Sequence, residues 1–416
     1  MVKMSLMKRS YYLPLLVISV FALSACSTVT DWFVDEDELE IRKLTPIEAQ
    51  FTPTTLWSAD LGSGIGQYYS RLKPAVAYGK VYGANRQGTV SAFDEDTGKK
   101  VWSKNYAQHN DEGLTSGVTK LWSSGISAKI AGGLSVAYET VFFGTENGEV
   151  IALNAQTGKQ LWLVNVKGEV LAAPAVDEGI VLVNTGSGVM FALDAGTGEQ
   201  LWSYESDVPP LSLRGVSAPA AANGGAIIGT ASGKLAVNII GTGQTAWEQV
   251  ISAPTGATEL ERIVDIDSQP LLAGDTIYII SYGGSLASVE LRSGRVIWKR
   301  EYKSYRRITM QGNKLFVVDV NSNIFALDRR NGIELWSQSG LKQRQLTAGT
   351  PVGDYIVAGD KYGYLHWLNQ SDGQVVARLA VGNDDEDQSI YSAPVVEGEV
   401  IYTQTRDGML VAVQTP

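Results

Sequence analysis

Short apolar segments of five or six residues alternate with glycine-containing turns along most of the chain. One unit recurs, in which an apolar segment ends at Asp or Asn, a glycine follows, and a second segment ends at tryptophan. The Asp or Asn side chain can bond the backbone two residues later, and glycine adopts a positive φ at little cost, so each copy predicts a β-hairpin. The copies are FDEDTGKKVW (93–102), LNAQTGKQLW (153–162), LDAGTGEQLW (193–202) and LDRRNGIELW (327–336), with weaker copies VELRSGRVIW (289–298), NIIGTGQTAW (238–247) and LNQSDGQVVA (368–377).

Recurring prolines extend this hairpin to a four-stranded unit. Pro74, Pro174, Pro219 and Pro270 each precede a repeat tryptophan by 28 residues. A short apolar segment, a turn and another apolar segment follow each proline. Four strands in roughly 40–45 residues are typical of a propeller blade, and in such a fold the repeated tryptophans are expected to pack between blades.

The two ends of the chain supply complementary parts of one further blade. TTLW (54–57) has the form of a last strand without its blade, whereas residues 392–413 have the form of a blade without its last strand. Each part alone would leave an unpaired strand edge, and pairing them removes both edges. We therefore predict an all-β fold over residues 51–416. It is an eight-bladed β-propeller of four-stranded antiparallel blades, whose ring is closed by pairing of the N- and C-terminal strands.

The N-terminus has the pattern of a bacterial export signal with a lipid attachment site. Three basic residues precede an apolar run over residues 11–25, which is too short and too early to be a membrane span. The motif LSAC (23–26) resembles a lipobox, and Cys26 is the only cysteine of the chain. We expect residues 1–25 to be removed as a lipoprotein signal peptide, and lipidated Cys26 to begin an acidic tether that ends at residue 50. A lone buried thiol is the alternative.

Charge narrows the classes of partner. The chain carries 34 basic and 44 acidic side chains, and loss of the signal, with three bases and no acid, leaves a net charge of −13. Such a surface disfavours nucleic acid and anionic lipid as binding partners. We therefore expect no nucleic-acid binding.

Connections between blades vary in length, although the repeat itself does not. Because these connections join an outer strand to the next inner strand, they should all lie on one face, where variable loops commonly bind partners. The segment NDDEDQ in the last of them is more typical of a solvated charge run than of a metal site. The four that stand out contain residues 108–125, 207–215, 251–267 and 383–388.

Two of these connections follow one another around the ring. Leu211, Leu213 and Arg214 in one should therefore lie near Asp265 and Asp267 in the other. Apolar anchors, a cation and two acids on one face have the composition of a protein-binding hot spot. The alternative is internal, with an Arg214–Asp265 pair that holds the two loops together and leucines that fill the gap. Spacing alone leaves both open.

The D-x-x-T-G-x-x-x-W unit resembles the tryptophan-docking repeats of quinoprotein alcohol dehydrogenases, which hold pyrroloquinoline quinone with calcium. That resemblance implies a quinoprotein-like enzyme as one alternative, and a periplasmic ligand-binding propeller is another. Those enzymes stack the quinone on a vicinal cysteine disulfide, for which this chain has no cysteine to spare. Only His109 and His366 are present, too few for a multi-histidine metal site, and we expect His366 to be half-buried in a strand. We therefore expect no catalytic residue, no metal and no cofactor.

Two segments, SLRGVSAP (212–219) and ELERIVDIDSQP (259–270), together with the lipobox and the propeller, resemble the BamB family. These are lipoprotein subunits of the β-barrel assembly machinery, the Bam complex of Gram-negative bacteria. The resemblance implies a non-catalytic scaffold that is lipid-anchored on the periplasmic face of the cell outer membrane. Such a scaffold assists folding and insertion of outer-membrane proteins, with unfolded outer-membrane proteins as candidate clients. In that family the two loops bind the POTRA domains of BamA, which carries over to Leu211, Leu213, Arg214, Asp265 and Asp267.

Overall fold

The computed structural model describes residues 40–107 and 127–416. The chain divides into an N-terminal segment, Met1–Pro46, of which only the last residues are described, and a compact unit, Ile47–Pro416. The expectations for the signal peptide, for Cys26, for His109 and for the 108–125 loop lie outside the described residues. No helix in the described part of the chain is long and apolar enough to cross a membrane.

Eight four-stranded antiparallel sheets make up the compact unit. Blade 1 begins at the first strand after Pro74, and blade 8 contains both ends of the unit. The first strands of neighbouring blades contact one another and so lie innermost, around the central axis. They are β2 (Ala75–Ala77), β6 (Ile130–Ala137), β10 (Ala175–Asp177), β14 (Ala220–Ala222), β18 (Leu271–Ala273), β22 (Thr309–Gln311), β26 (Thr350–Val352) and β30 (Val395–Glu397).

The second and third strands of each blade form its buried middle. Their residues are shielded on both faces by the neighbouring blades, which explains their nearly continuous apolar sequences. The second strands are β3 (Lys80–Ala84), β7 (Thr140–Thr145), β11 (Ile180–Asn184), β15 (Gly225–Gly229), β19 (Thr276–Ile280), β23 (Lys314–Val318), β27 (Tyr355–Gly359) and β31 (Val400–Gln404). The third strands are β4 (Thr89–Asp94), β8 (Glu149–Asn154), β12 (Val189–Asp194), β16 (Lys234–Ile239), β20 (Ser285–Glu290), β24 (Ile324–Asp328), β28 (Tyr364–Asn369) and β32 (Met409–Gln414).

The fourth strands lie outermost and are largely exposed, apart from the inward-facing tryptophan of the repeat. Strand β1 pairs with β32 from Thr54↔Gln414 to Asp60↔Met409, so the N-terminal strand completes the C-terminal blade. The predicted fold and ring closure are confirmed. The fourth strands are β5 (Lys100–Asn105), β9 (Gln160–Asn165), β13 (Gln200–Glu205), β17 (Thr245–Val250), β21 (Val296–Glu301), β25 (Glu334–Gln338), β29 (Val375–Ala380) and β1 (Thr54–Asp60).

The repeat tryptophans pack between blades, as the sequence predicts. Each indole N–H donates to a backbone carbonyl of the next blade at 2.7–3.0 Å. Each indole also covers the repeat glycine of that blade, where an added Cβ would lie 2.5–2.8 Å from the ring. Glycine is therefore needed for this contact as well as for the turn. The seven residues are Trp57, Trp102, Trp162, Trp202, Trp247, Trp298 and Trp336.

The junction between blades 7 and 8 is built differently, because Ala377 occupies the repeat tryptophan position. Trp367 lies directly opposite Ala377 in the neighbouring strand and is fully buried. Its indole N–H donates to Thr415 Oγ1 at 3.0 Å, and Phe51 meets its ring edge-on. A tryptophan outside the repeat pattern thus supplies the indole of the eighth junction.

Candidate functional site

The five residues predicted to form a site lie on two adjacent loops of one face. Leu211, Leu213 and Arg214 belong to the connection between blades 3 and 4, and Asp265 and Asp267 to the connection between blades 4 and 5. The structure brings the loops into contact, since the Leu213 N–H donates to Asp265 Oδ1 at 2.9 Å. The predicted proximity of the two loops is therefore present.

The two acids lie beneath the loop and do not face solvent. Asp265 is 1% exposed and Asp267 4% exposed. An added Cβ at Gly215 would lie 1.8 Å from Asp267 Oδ2, so only glycine lets the loop backbone approach this carboxylate so closely. Both acids therefore support the Leu-x-Leu-Arg loop from below.

Burial sets the ionisation of these carboxyls. It raises the pKa of Asp265 to about 7, with a further upward contribution from Asp267, and the Leu213 N–H only partly opposes this. Burial also raises the pKa of Asp267, against the attraction of the Arg71 guanidinium. Near neutral pH, Asp265 is thus a partly protonated hydrogen-bond acceptor and a weak source of negative charge.

Arg71 is a residue of the site that the sequence did not indicate. It comes from the connection between blades 8 and 1, and its guanidinium donates to the carbonyls of Val216 at 2.8 Å and Asp267 at 2.5 Å. Its Nη2 lies 3.7 Å from Asp267 Oδ2, and its Nε donates to the Tyr69 hydroxyl. Arg71 thereby ties both site loops to the opposite side of the ring. Its only sequence signal is a position three residues before a recurring proline.

Arg214 does not pair with Asp265, so the predicted Arg214–Asp265 pair is wrong. The Asp265 carboxylate lies under the loop backbone, whereas the Arg214 side chain projects toward blade 2. There its Nη2 lies 3.1 Å from Glu146 Oε2 and 3.4 Å from Glu169 Oε1. The Arg214 side chain is nevertheless 54% exposed, so part of the guanidinium faces solvent.

Glu146 links Arg214 to a second arginine that the sequence also did not indicate. The Glu146 carboxylate is buried and lies 2.7 Å from Arg86 Nη2. The Arg86 guanidinium stacks over the exposed Tyr68 ring at 3.9 Å. A shared carboxylate between two guanidiniums fixes the direction of both side chains, which reduces the entropy that Arg214 would lose on binding a partner.

The leucines differ in exposure. Leu211 is 40% exposed, whereas Leu213 is half-buried at the wall of a small cleft of about 110 Å³. Val208, Val216 and Arg214 also line this cleft. A cleft with both apolar and polar lining residues beside an open guanidinium suits recognition of a protein surface.

The other polar residues that the sequence singled out contact charged side chains within the protein. His366 is fully buried, so the expectation of a half-buried residue is wrong: its Nε2 lies 2.8 Å from Asp360 Oδ2, and the Arg344 guanidinium lies 2.7 Å from the same oxygen. The 383–388 segment contains a 3-10 helix, Glu386–Gln388, whose Glu386 lies 3.5 Å from Lys361 Nζ. Within residues 40–107 and 127–416, no cluster of His, Cys, Asp and Glu is arranged to hold a metal.

The chain matches the family described as "Outer membrane protein assembly factor BamB" over residues 115–338 and 321–415. Residues 55–171 match the family "Glucose/ethanol/alcohol dehydrogenase, beta-propeller domain". Outer membrane protein assembly factor BamB of Alteromonas naphthalenivorans is 57% identical over 400 residues, which cover 96% of this chain and 95% of that protein.

Solved structures give the same picture of the fold. The crystal structure of BamB from Moraxella catarrhalis superposes with a TM-score of 0.75 at 27% identity, and the match covers 87% of this chain and 100% of that one. Quinohemoprotein alcohol dehydrogenase from Comamonas testosteroni superposes with a TM-score of 0.63 at 14% identity, over 90% of this chain and 79% of that one. At that identity the likeness to the dehydrogenase is one of fold alone.

Proposed function

The chain belongs to the BamB family of outer membrane protein assembly factors, and from this premise we propose that it is a periplasmic scaffold of the Bam complex that docks on the POTRA domains of BamA. The observation that carries the proposal is the half-exposed Arg214 guanidinium. Glu146 and Glu169 hold it beside a leucine-lined cleft. A preorganised arginine next to apolar anchors is the usual composition of a binding hot spot.

We propose different roles for the five residues. Leu211, Leu213 and Arg214 reach the surface and make the contacts with BamA, the leucines by burial and the arginine by pairing with a carboxylate. Asp265 and Asp267 are buried under the loop, and they act by positioning it. Their removal would weaken docking indirectly, through loss of the loop conformation.

The scaffold is proposed to be non-catalytic. The buried acids of the site are occupied with loop anchoring, and the guanidinium is held between two carboxylates. Purified protein mixed with pyrroloquinoline quinone and calcium should retain no quinone absorbance after desalting and should not reduce dye in the presence of an alcohol. Retained quinone would contradict this part of the proposal.

Attachment to the outer membrane is proposed to rest on acylated Cys26. One acyl chain anchors a protein only marginally, whereas three chains would hold it on the membrane essentially permanently. Replacement Cys26→Ser should release the protein from the membrane fraction without changing its circular dichroism spectrum. Retention of the Cys26→Ser variant in the membrane fraction of cells that lack BamA would argue against the lipid anchor.

The docking site is tested by capture of BamA with a Leu213→Ala, Arg214→Ala double variant. Loss of a hot-spot arginine costs on the order of 2–4 kcal/mol of association, so capture should fall at least tenfold. A matched control is Leu335→Ala with Arg330→Ala, an exposed leucine and an exposed arginine of blade 6 far from the site loops. Undiminished capture of BamA by the double variant would refute the site.

A further inference from the structure

Equivalent positions of the eight blades form a ring around the central channel. In each blade this position comes immediately before the recurring proline or the residue equivalent to it. It lies two residues before the first strand of the blade, when the blades are aligned on β2. At Gly133 an added Cβ would lie 3.4 Å from Ala173 Cβ and 3.7 Å from Lys73 Cγ, so neighbouring members of the ring face one another. The eight members are Lys73, Gly133, Ala173, Ala218, Gln269, Arg307, Ala348 and Ala393.

Small side chains at five of these positions leave space that the two cations enter. A cavity of about 350 Å³ begins at Lys73 and extends along β2, β6 and β10. At ~30 Å³ for each water of the liquid, this volume holds about ten waters. The channel is therefore wide enough for a hydrated ion beside the lysine.

Neither cation has an acidic partner within the described residues. Lys73 makes no hydrogen bond or ion pair there, and the charge that acts on it is another cation, Arg307. The Arg307 guanidinium donates to Thr350 Oγ1 at 3.3 Å, while its buried Nε has no hydrogen-bond partner among the described groups. The channel thus contains positive charge that residues 40–107 and 127–416 do not neutralise.

Uncompensated charge in such a site is costly. Burial, with the like charge of Arg307 adding to it, lowers the pKa of Lys73 to about 7, so the ammonium is weakly held at neutral pH. Burial likewise lowers the pKa of Arg307. A bound anion would offset both effects, because it favours the charged form of each side chain.

We propose that the central channel is a binding site for a small oxyanion of the sulfate or phosphate class, held by Lys73 and Arg307. The guanidinium offers paired N–H donors that match two oxygens of a tetrahedral anion, and the ammonium supplies a compact charge. The Thr350 hydroxyl lies beside the guanidinium as a further hydrogen-bonding group. This site is separate from the BamA-docking loops, and the proposal stands without the proposed function.

Calorimetric titration of the detergent-solubilised full-length protein with sulfate tests the site, since sulfate does not titrate near neutral pH. Ionic strength is held constant with chloride, and separate titrations with inorganic phosphate and with acetate distinguish tetrahedral oxyanions from a single carboxylate. Sulfate and phosphate should bind at millimolar concentration or below, and acetate at least about tenfold more weakly. Sulfate binding should also tighten as the pH falls from 8 to 6, because the anion favours the protonated form of Lys73. Arg307 is the charged group that faces Lys73.

Lys73→Met and Arg307→Gln should each reduce sulfate affinity at least about tenfold. The matched control Lys159→Met removes an exposed lysine and should leave the affinity unchanged. In sulfate-free buffer Lys73→Met should melt at or above the temperature of the wild type, because it removes a half-buried charge that no described acid compensates. If Arg307→Gln does not fold, Lys73→Met alone carries the test. Absent sulfate binding, or equal affinity in Lys73→Met and wild type, would overturn the proposal.

Discussion

The hydrogen bond between the Leu213 N–H and Asp265 Oδ1 predicts that Asp265→Asn and Asp265→Ala behave differently. The carboxylate is buried, and its role is to accept this bond at 2.9 Å. An asparagine amide oxygen can accept the same bond and carries no charge to desolvate. An alanine methyl group accepts nothing, so the Leu213 N–H loses its partner.

The magnitude follows from the burial of the pair. Leaving a buried donor unsatisfied costs about 1–3 kcal/mol, which should increase opening of the loop roughly 5- to 150-fold in Asp265→Ala. Asp265→Asn keeps the acceptor. Its new NH₂ group replaces an Oδ2 that already lacks a hydrogen-bond partner, so near pH 4, where Asp265 is protonated and also uncharged, we expect stability within about 1 kcal/mol of the wild type.

Two measurements separate the loop from the docking reaction. Hydrogen exchange of a peptide that contains residues 207–215 reports opening of the loop, and capture of BamA reports docking. In Asp265→Ala both should change, with faster exchange and weaker capture, whereas Asp265→Asn should resemble the wild type in both. The reasoning would be refuted if Asp265→Asn lost capture while its loop exchanged at the normal rate. That result would mean that the partner reads the carboxylate charge directly.

Three further predictions concern Gly215 in the same loop, the ionisation of Asp265 and the packing of Trp367 between blades. Gly215→Ala should abolish BamA capture while the propeller stays folded by circular dichroism, because its Cβ would lie 1.8 Å from Asp267 Oδ2; Gly241→Ala, with open space around it, is the control. The raised pKa of Asp265 contributes stability that is fully present below pH 3.8 and is lost as the pH rises to about 7. Between pH 4 and 7 the urea midpoint of the wild type should therefore fall relative to that of Asp265→Asn. Midpoints that change in parallel would contradict the raised pKa. Trp367→Ala should cost about 3–5 kcal/mol in urea denaturation, more than Trp247→Ala at a partly exposed junction.

The fold could be predicted because its unit is local. Each hairpin is encoded within ten residues, and its glycine is visible in all seven copies, although Ile239 replaces the turn acid in one copy and Ala377 replaces the tryptophan in another. The eighth junction could not be predicted, because Trp367 comes from a different strand than the repeat tryptophan it replaces. Its position relative to Ala377 is set by the pairing register of β28 and β29, which the spacing of the repeat does not reveal.

The site was predictable to the level of loops and no further. Blade order gives the neighbours of a loop, and this brought residues 211–214 and 265–267 together. It does not give the direction of a side chain, so the Arg214–Asp265 pair was wrong and the pairing with Glu146 was missed. The contact of Arg71 with Val216 spans the ring between segments 145 residues apart, and no local pattern marks it.

The pairing of β1 with β32 also has a consequence for the order of events when the protein is made. Thr54 pairs with Gln414, so β1, which leaves the ribosome or the export channel early, cannot pair until β32 has also emerged. Bringing together ends so far apart adds loop-closure entropy to the barrier, which makes ring closure a late and slow step. Until then the third strand of blade 8 and the tryptophan of β1 are uncovered, and the chain is most exposed to aggregation and to proteases. A C-terminal truncation of a few residues should therefore be lost during biogenesis even though seven blades are intact.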